Sequence, residues 1–303
     1  VKPSENPAVA NSGSVIRCPV AAFGSVQFPP EMFPALRRQP GSDLGRPFPN
    51  NFLKHADEQT VASLAAILQA IERFGLSQTD FQNWGVVAAP AFLGRTTLVN
   101  ALQRYADEGA WGLSPHFIPH SSQHAVAGTI SQALKIHGPN FGTGGSPAGV
   151  PEALLAGAVL LEGDRLPGVW VVVSGWEPEF VPDEHGKPIS ACLCQAVALA
   201  LVRGAQGMQE TELRLAPVAR AVANGSANGC CHAPAPSFAV LQQALTGFPS
   251  CTASLRWMLN SAVAVELDIC AKDSPAAGPF VGHGPAGRVG NRTQAGASME
   301  NHQ

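Results

Sequence analysis

Apolar residues recur along this chain with two periods, and the alternation between them predicts its elements. A short apolar stretch, Val15 to Val26, reads as an opening strand. From Pro29 to Asn51 the density of Pro, Gly, Arg and Asn reads as an irregular surface arm. Helical spacing then sets in at Val61, Leu64, Ala65, Leu68, Ile71 and Phe74, with Asp57 as N-cap, Thr60 one turn on and Gly75 as the stop. Trp84, Val86 and Val87 read as a short strand closed by Pro90. Thr96 to Ala106 places Leu98, Leu102 and Tyr105 on one helical face and ends at Gly109. Ser121 or Ser122 is then positioned to cap a helix running through Ala125, Ile130, Ala133 and Leu134 to Ile136.

Pro151 to Leu161 reads as a helix, and Val169 to Val173 is a continuous apolar run of the kind expected for a strand covered on both faces. Cys192 to Val202 is equally apolar, but its Ala and Leu content suits a helix as well as a strand. After Arg203 the pattern weakens. Asn224 to Pro236 is a linker of Gly, Asn, Ala and Pro, Phe238 to Leu245 a short helix, and Leu255 to Ile269 a hairpin around Asn260 and Ser261. From Ser274 onward the composition cannot bury enough apolar area to offset chain entropy, which predicts a disordered tail. Strands alternating with helices predict an α/β fold, a sheet covered by helices. The expected organisation is an irregular arm with a possible first strand over 1–55, the main domain over 56–203, a helix and hairpin extension over 204–273, and the tail over 274–303.

Composition narrows the function classes. With 303 residues, 45% hydrophobic and 14% charged, the chain can bury a full core, and a net charge of −3 gives no basic excess to suggest nucleic acid. Its apolar runs are broken well before the roughly 18 residues of a spanning helix, so no membrane span is expected. Val1 to Gly13 has no apolar core of the kind a secretory signal carries, and a cytoplasmic location is the expectation. Seven cysteines, an odd number, argue against a disulfide framework. Cys192 and Cys194 stand two apart and Cys230 and Cys231 are adjacent, neither with zinc-site spacing. The first pair reads as small buried hydrophobes and the second as loop.

The most informative stretch is Gly138-Pro139-Asn140-Phe141-Gly142-Thr143-Gly144-Gly145-Ser146-Pro147, which leads into the Pro151 helix and then an apolar strand ending at Gly175. A glycine-rich loop opening onto a helix presents unpaired N–H groups and the positive end of a helix dipole, a common seat for a nucleophile or an oxyanion. "GPNFGTGGSPAGVPEALLAGAVLL" followed by "LPGVWVVVSGWEPE" resembles the N-terminal half of the β-ketoacyl synthases, the condensing enzymes of the thiolase-like superfamily. There a Gly-Pro-x-Phe element leads through a buried strand to a cysteine at a helix start. The resemblance covers about Phe52 to Val202, and "FLKHADEQTVASLAAILQAIERFGL" is similar to the helix that follows the family's first strand. It implies a thiolase-like half with a mixed, mostly parallel sheet, and it favours a strand for Cys192 to Val202. It also places the family's cysteine on Pro147, with Ser146 just before it.

What the resemblance implies for activity follows from chemistry. A ketosynthase transfers an acyl chain from an acyl carrier protein to its cysteine and condenses it with a malonyl unit, using an activated thiol, an oxyanion hole and two histidines. Pro147 offers neither nucleophile nor N–H and fits only because the first helical turn leaves that position unpaired. The His-Gly pairs, His137-Gly138, His185-Gly186 and His283-Gly284, lack the following Thr of the family motif. The resemblance therefore implies a noncatalytic accessory or chain-length-factor-like subunit of fatty acid or polyketide biosynthesis. Its partners would be a ketosynthase and an acyl carrier protein, in a homodimer or heterodimer formed through "NFGT" and the neighbouring helix. Phe141, Gly142, Gly144 and Gly145 would form the oxyanion or acyl-binding loop, and no cofactor is implied.

Two alternatives stay open. Ser146 is either an N-cap for the helix beginning at Pro147 or the nucleophile of an acyltransferase or thioesterase, with His120 or His124 as base. His116, His120 and His124 are spaced by four, as metal ligands on one helical face would be, but Pro115 and Pro119 interrupt the helix that would align them, and no metal is expected. Glu177 and Glu179 follow a strand end, where α/β proteins carry ligands, and read either as part of a site or as a solvated loop. The other alternative is a structural or acyl-binding remnant that retains a ligand without turnover.

Overall fold

The computed structural model describes residues 15–38, 48–49, 51–115, 117–144, 149–163, 166–183, 187–203, 211–217, 237–247, 253–258 and 263–269. Among them, eight strands form one sheet: β1 Ile16–Phe28, β2 Gly85–Pro90, β3 Asn140–Gly142, β4 Gly168–Glu177, β5 Leu193–Val202, β6 Thr211–Pro217, β7 Ala253–Met258 and β8 Val263–Ile269. Their order across the sheet is β3-β2-β4-β5-β1-β6-β8-β7. The helices are α1 Phe33–Leu36, α2 Glu58–Arg73, α3 Arg95–Glu108, α4 Phe117–Ser121, α5 His124–Leu134, α6 Gly149–Gly163 and α7 Phe238–Thr246.

The α/β architecture is as expected, but the sheet is mostly antiparallel rather than mostly parallel. Only β2 pairs in parallel, with β3 on one side and β4 on the other. Those are the places where helices carry the chain back across the sheet, α3 to α5 before β3 and α6 before β4, as a parallel pair requires. No helix among the described residues separates β4 from β5, so β5 returns antiparallel, and β1, β6, β8 and β7 continue in antiparallel pairs.

Each face of the sheet is covered, which explains the continuous apolar run of β4. Trp170 and Val172 point into the core shared with α2 and α5, while Val169, Val171 and Val173 point into the core shared with α6 and α7. On the first face α2 begins at Asp57, whose carboxylate accepts the Gln59 N–H at 2.9 Å. Burial, and then the neighbouring Glu58, push the Asp57 carboxyl up to about 7. The helix lies so close on β1 that a Cβ at Gly24 would sit 2.0 Å from the Ala66 carbonyl oxygen, which is why glycine stands there. Gly75, at φ 68°, lets the chain leave the helix.

Several expectations are revised. The helix reached from Ser121 and Ser122 starts at His124, with Gln123 at its N-cap and no side-chain cap bond; Ser121 instead ends α4. Gln123 already has helical dihedrals, so the chain enters α5 without the extended residue a serine cap needs. The irregular arm includes the short 3-10 turn Pro30–Met32 and α1, whose Phe33 is buried against Phe28 and Trp176. Cys192 to Val202 resolves as a strand from Leu193. Strand β6 lies where the pattern weakened. The Asn224 to Pro236 linker, Cys230, Cys231, the turn at Asn260 and Ser261 and everything from Ser274 onward lie outside the described residues.

Helix α3 forms as its period predicts, and its apolar stripe is exposed. Leu98, Leu102 and Tyr105 are 44, 59 and 53% exposed, and nearby in sequence Trp111 and Ile118 reach 98 and 75%. A contiguous apolar helix face left in water is the mark of an interaction surface.

Candidate functional site

Strands β1, β2, β3 and β4 run in one direction, so their carboxyl ends lie together, the place where open α/β sheets hold ligands. A cavity of about 560 Å3 opens there. Its floor is Ala89 and Ala91 at the end of β2 with Val173, Ser174 and Gly175 of β4, and Val150 and Pro151 of α6 form one wall. The Ala91 N–H donates to the Ser174 carbonyl at 2.8 Å, and the Gln59 amide donates to the Ala91 carbonyl at 2.8 Å. The Ser174 hydroxyl donates in turn to Gln59 Oε1 at 3.2 Å, so a buried side chain of α2 ties the two strand ends together.

The polar groups of the cavity gather beyond those strand ends. Phe92 adopts φ 52°, a strained conformation for a non-glycine residue, and its ring lies 4.0 Å beneath the Arg95 guanidinium. Arg95, the first residue of α3, pairs with Glu179, and both side chains are about 40% exposed. Glu177, Trp176 and Phe180 complete that side, with Trp176 and Phe180 in tilted ring contact at 5.0 Å. The Glu177-Pro178 peptide is cis.

The described candidates from the glycine-rich loop lie together beside the start of α5, away from the 560 Å3 cavity. Phe141 packs into the α6 face of the core. Gly142 sits against the Gln123 carbonyl, where a Cβ would come within 2.3 Å, and the Gln123 amide donates to the Gly144 carbonyl at 2.8 Å. The Thr143 N–H donates to Ala88 O at 2.7 Å, so it is not available to an oxyanion. None of Phe141, Gly142 or Gly144 lines the 560 Å3 cavity. Gly145, Ser146, Pro147 and His116 lie outside the described residues. His124 is exposed at the start of α5, and His120 belongs to a different hollow of about 190 Å3 with His55, Asp57, Asn100 and Arg104; the two imidazoles there stand 5.8 Å apart. No group of three or more His, Cys, Asp or Glu residues able to hold a metal occurs among the described residues.

The described cysteines are not activated. Burial, with Glu162 and Glu212 adding to it, pushes the Cys18 thiol up to about 12. Burial likewise raises Cys194, with Asp57 and Glu58 contributing, and Cys192, with Glu31 contributing. All three are free thiols held in the neutral form.

The sequence singled out Glu177 and Glu179 but missed Arg95, Phe92, Trp176, Phe180, Phe238, Trp257 and Met258. The strand-end rule that flagged the two glutamates applies equally to Arg95, which follows the end of β2.

No family model matches the chain, and no curated protein matches it. Solved structures do match. The chain is similar to ketosynthases and chain length factors. One is a type II polyketide synthase acyl-carrier protein in complex with its ketosynthase bound to the hexaketide: 16% identity, 65% of this chain and 67% of that one, TM-score 0.48. Another is the ishigamide ketosynthase/chain length factor, at 13% identity over 67% of each chain and TM-score 0.45. A ketosynthase in complex with its chain length factor from Xenorhabdus doucetiae matches over 83% of this chain and 98% of that one, at 14% identity and TM-score 0.46. No helix among the described residues is long and apolar enough to cross a membrane.

Proposed function

We propose that this protein is a noncatalytic, chain-length-factor-like subunit that pairs with an active ketosynthase in polyketide or fatty acid biosynthesis. The observation that carries the reading is the uncovered apolar stripe of α3, at Leu98, Leu102 and Tyr105; the resemblance to the ketosynthases, which puts the family's cysteine on Pro147, agrees with it. Two further features support it. Among the described residues strand β3 is at the edge of the sheet, paired on one side by β2, and an edge strand is a template for a partner's strand. Helix α3 packs on α4, α4 on α5 and α5 on β3, so stripe and edge belong to one contiguous part of the molecule. The three described cysteines, buried and neutral, offer no substitute thiol.

The test is association with any ketosynthase from this chain's genomic neighbourhood, measured by sedimentation velocity on the purified, co-expressed pair. A stable one-to-one complex that Leu102→Ser weakens by tenfold or more is expected, about 1.4 kcal/mol. Sedimentation of this chain as a monomer at micromolar concentration, indifferent to that ketosynthase and its carrier protein, would remove the reading.

A further inference from the structure

We propose that the 560 Å3 cavity at the strand ends binds an organic cation, an alkylated ammonium group carried on an apolar body. Its volume lies within the roughly 300–1,000 Å3 of sites that enclose a small molecule. Two features of the lining select that chemistry: aromatic faces and an excess of carboxylate. The faces come from separate parts of the chain, Trp176 and Phe180 at and beyond the end of β4, Phe238 at the start of α7 and Trp257 near the end of β7. An aromatic face is the negative part of a quadrupole, so it attracts a cation as well as apolar atoms, and alkylated ammonium groups are held on such faces. The cavity already contains one such pairing, made by the chain itself: the Arg95 guanidinium lies 4.0 Å from the centre of the Phe92 ring and pairs with Glu179.

Glu177 makes the charge uneven. Arg95 and Glu179 neutralise each other, whereas Glu177 forms no ion pair among the described residues, so the lining carries an excess negative charge. Side chains alternate along β4, and Glu177 falls on the face of Val171 and Val173, where α6, α7 and Trp257 of β7 also pack. It is exposed there, so its carboxylate stands at the mouth of the cavity. A cation seated between Trp176 and Glu177 gains an aromatic face and an unneutralised carboxylate together, while an apolar body attached to it reaches over Val150, Val173 and Phe238. An anion meets the opposite situation. The guanidinium in the lining is already engaged by Glu179, and Glu177 repels a second negative charge.

The lining selects a cation whether or not the chain pairs with a ketosynthase, so binding is measured on this chain alone, where a negative result leaves that pairing untouched. The probe is ω-hydroxyhexyltrimethylammonium, set against the isosteric alcohol in which carbon replaces the ammonium nitrogen. The two match in shape and apolar area, so the difference between them reads the charge. Calorimetry gives the affinities, and tryptophan fluorescence reports occupancy through Trp176 and Trp257. The cation is expected to bind about tenfold more tightly than the alcohol at low salt. That margin should shrink as salt is raised, because Glu177 is exposed. Glu177→Gln is expected to weaken the cation by at least about threefold and to leave the alcohol unchanged. Arg95→Gln frees Glu179 and should strengthen the cation by about threefold. Both side chains reach solvent, so an unchanged melting temperature shows that each variant is folded. Absence of saturable binding by the cation overturns the proposal. So does equal affinity for cation and alcohol in the unsubstituted chain, or a preference for the cation that folded Glu177→Gln leaves unchanged.

Discussion

Helices α2 and α3 carry the same kind of apolar stripe and meet opposite fates. In α2, Val61, Leu64, Leu68 and Ile71 are all buried, seated against β1, β5 and β4 of the same chain. In α3, Leu98, Leu102 and Tyr105 repeat at i, i+4 and i+7 and face water. A helix stripe in the sequence says that an apolar face exists to be covered. It does not say which molecule covers it. The difference separates residues that hold this fold from residues that hold a partner, and it divides the predicted effects of substitution accordingly.

The contrast breaks hardest at the centre of α2. Ile67→Ala and Leu64→Ala remove fully buried side chains and are expected to cost about 2–5 kcal/mol each in denaturant unfolding. Gly24→Ala places a methyl against the Ala66 carbonyl and pushes α2 off β1; a loss of about 1–3 kcal/mol is expected in the same measurement.

A subtler effect comes from the cap of α2. Because the Asp57 carboxyl is raised to about 7 in the fold from 3.8, the folded chain holds a proton there that the unfolded chain has released. Its contribution to stability is therefore full below about pH 4, falls as pH rises toward 7 by at most about 1.4 kcal/mol per pH unit, and is level above that. Asp57→Asn keeps the capping oxygen and removes the proton. Melting curves from pH 4 to 8 should show the variant gaining on the parent as pH rises, with no further gain beyond pH 8. The smallest effect on folding belongs to α3: Leu102→Ser and Leu98→Ser are expected to change unfolding free energy by no more than about 0.5 kcal/mol. A cost of 2 kcal/mol there would mean that this chain covers the stripe itself.

How much was legible in the sequence follows from how local each signal is. Asp57, the stripe behind it and Gly75 define α2 almost completely, because cap, period and stop all act within one helix. Strand β5 was ambiguous because Ala and Leu suit either element; its pairing with both β1 and β4 decides it. Strand β6 escaped notice because only Leu213 and Leu215 alternate with Glu212 and Arg214, a signal too short to stand without its partners β1 and β8. The candidate loop at Gly138 to Pro147 was visible as a motif. The strand-end cavity was not, since Arg95, Glu179, Phe238 and Trp257 come to line one space only once the strands align their carboxyl ends and the later elements fold alongside them.

Co-expressing this chain with a ketosynthase from its genomic neighbourhood, exposing the co-purified pair to an acyl thioester and weighing both chains intact tests the account most directly. The account predicts a one-to-one complex in which the acyl mass appears on the ketosynthase and this chain keeps its unmodified mass. An acyl adduct on this chain, lost in Ser146→Ala or in a cysteine variant, would contradict it.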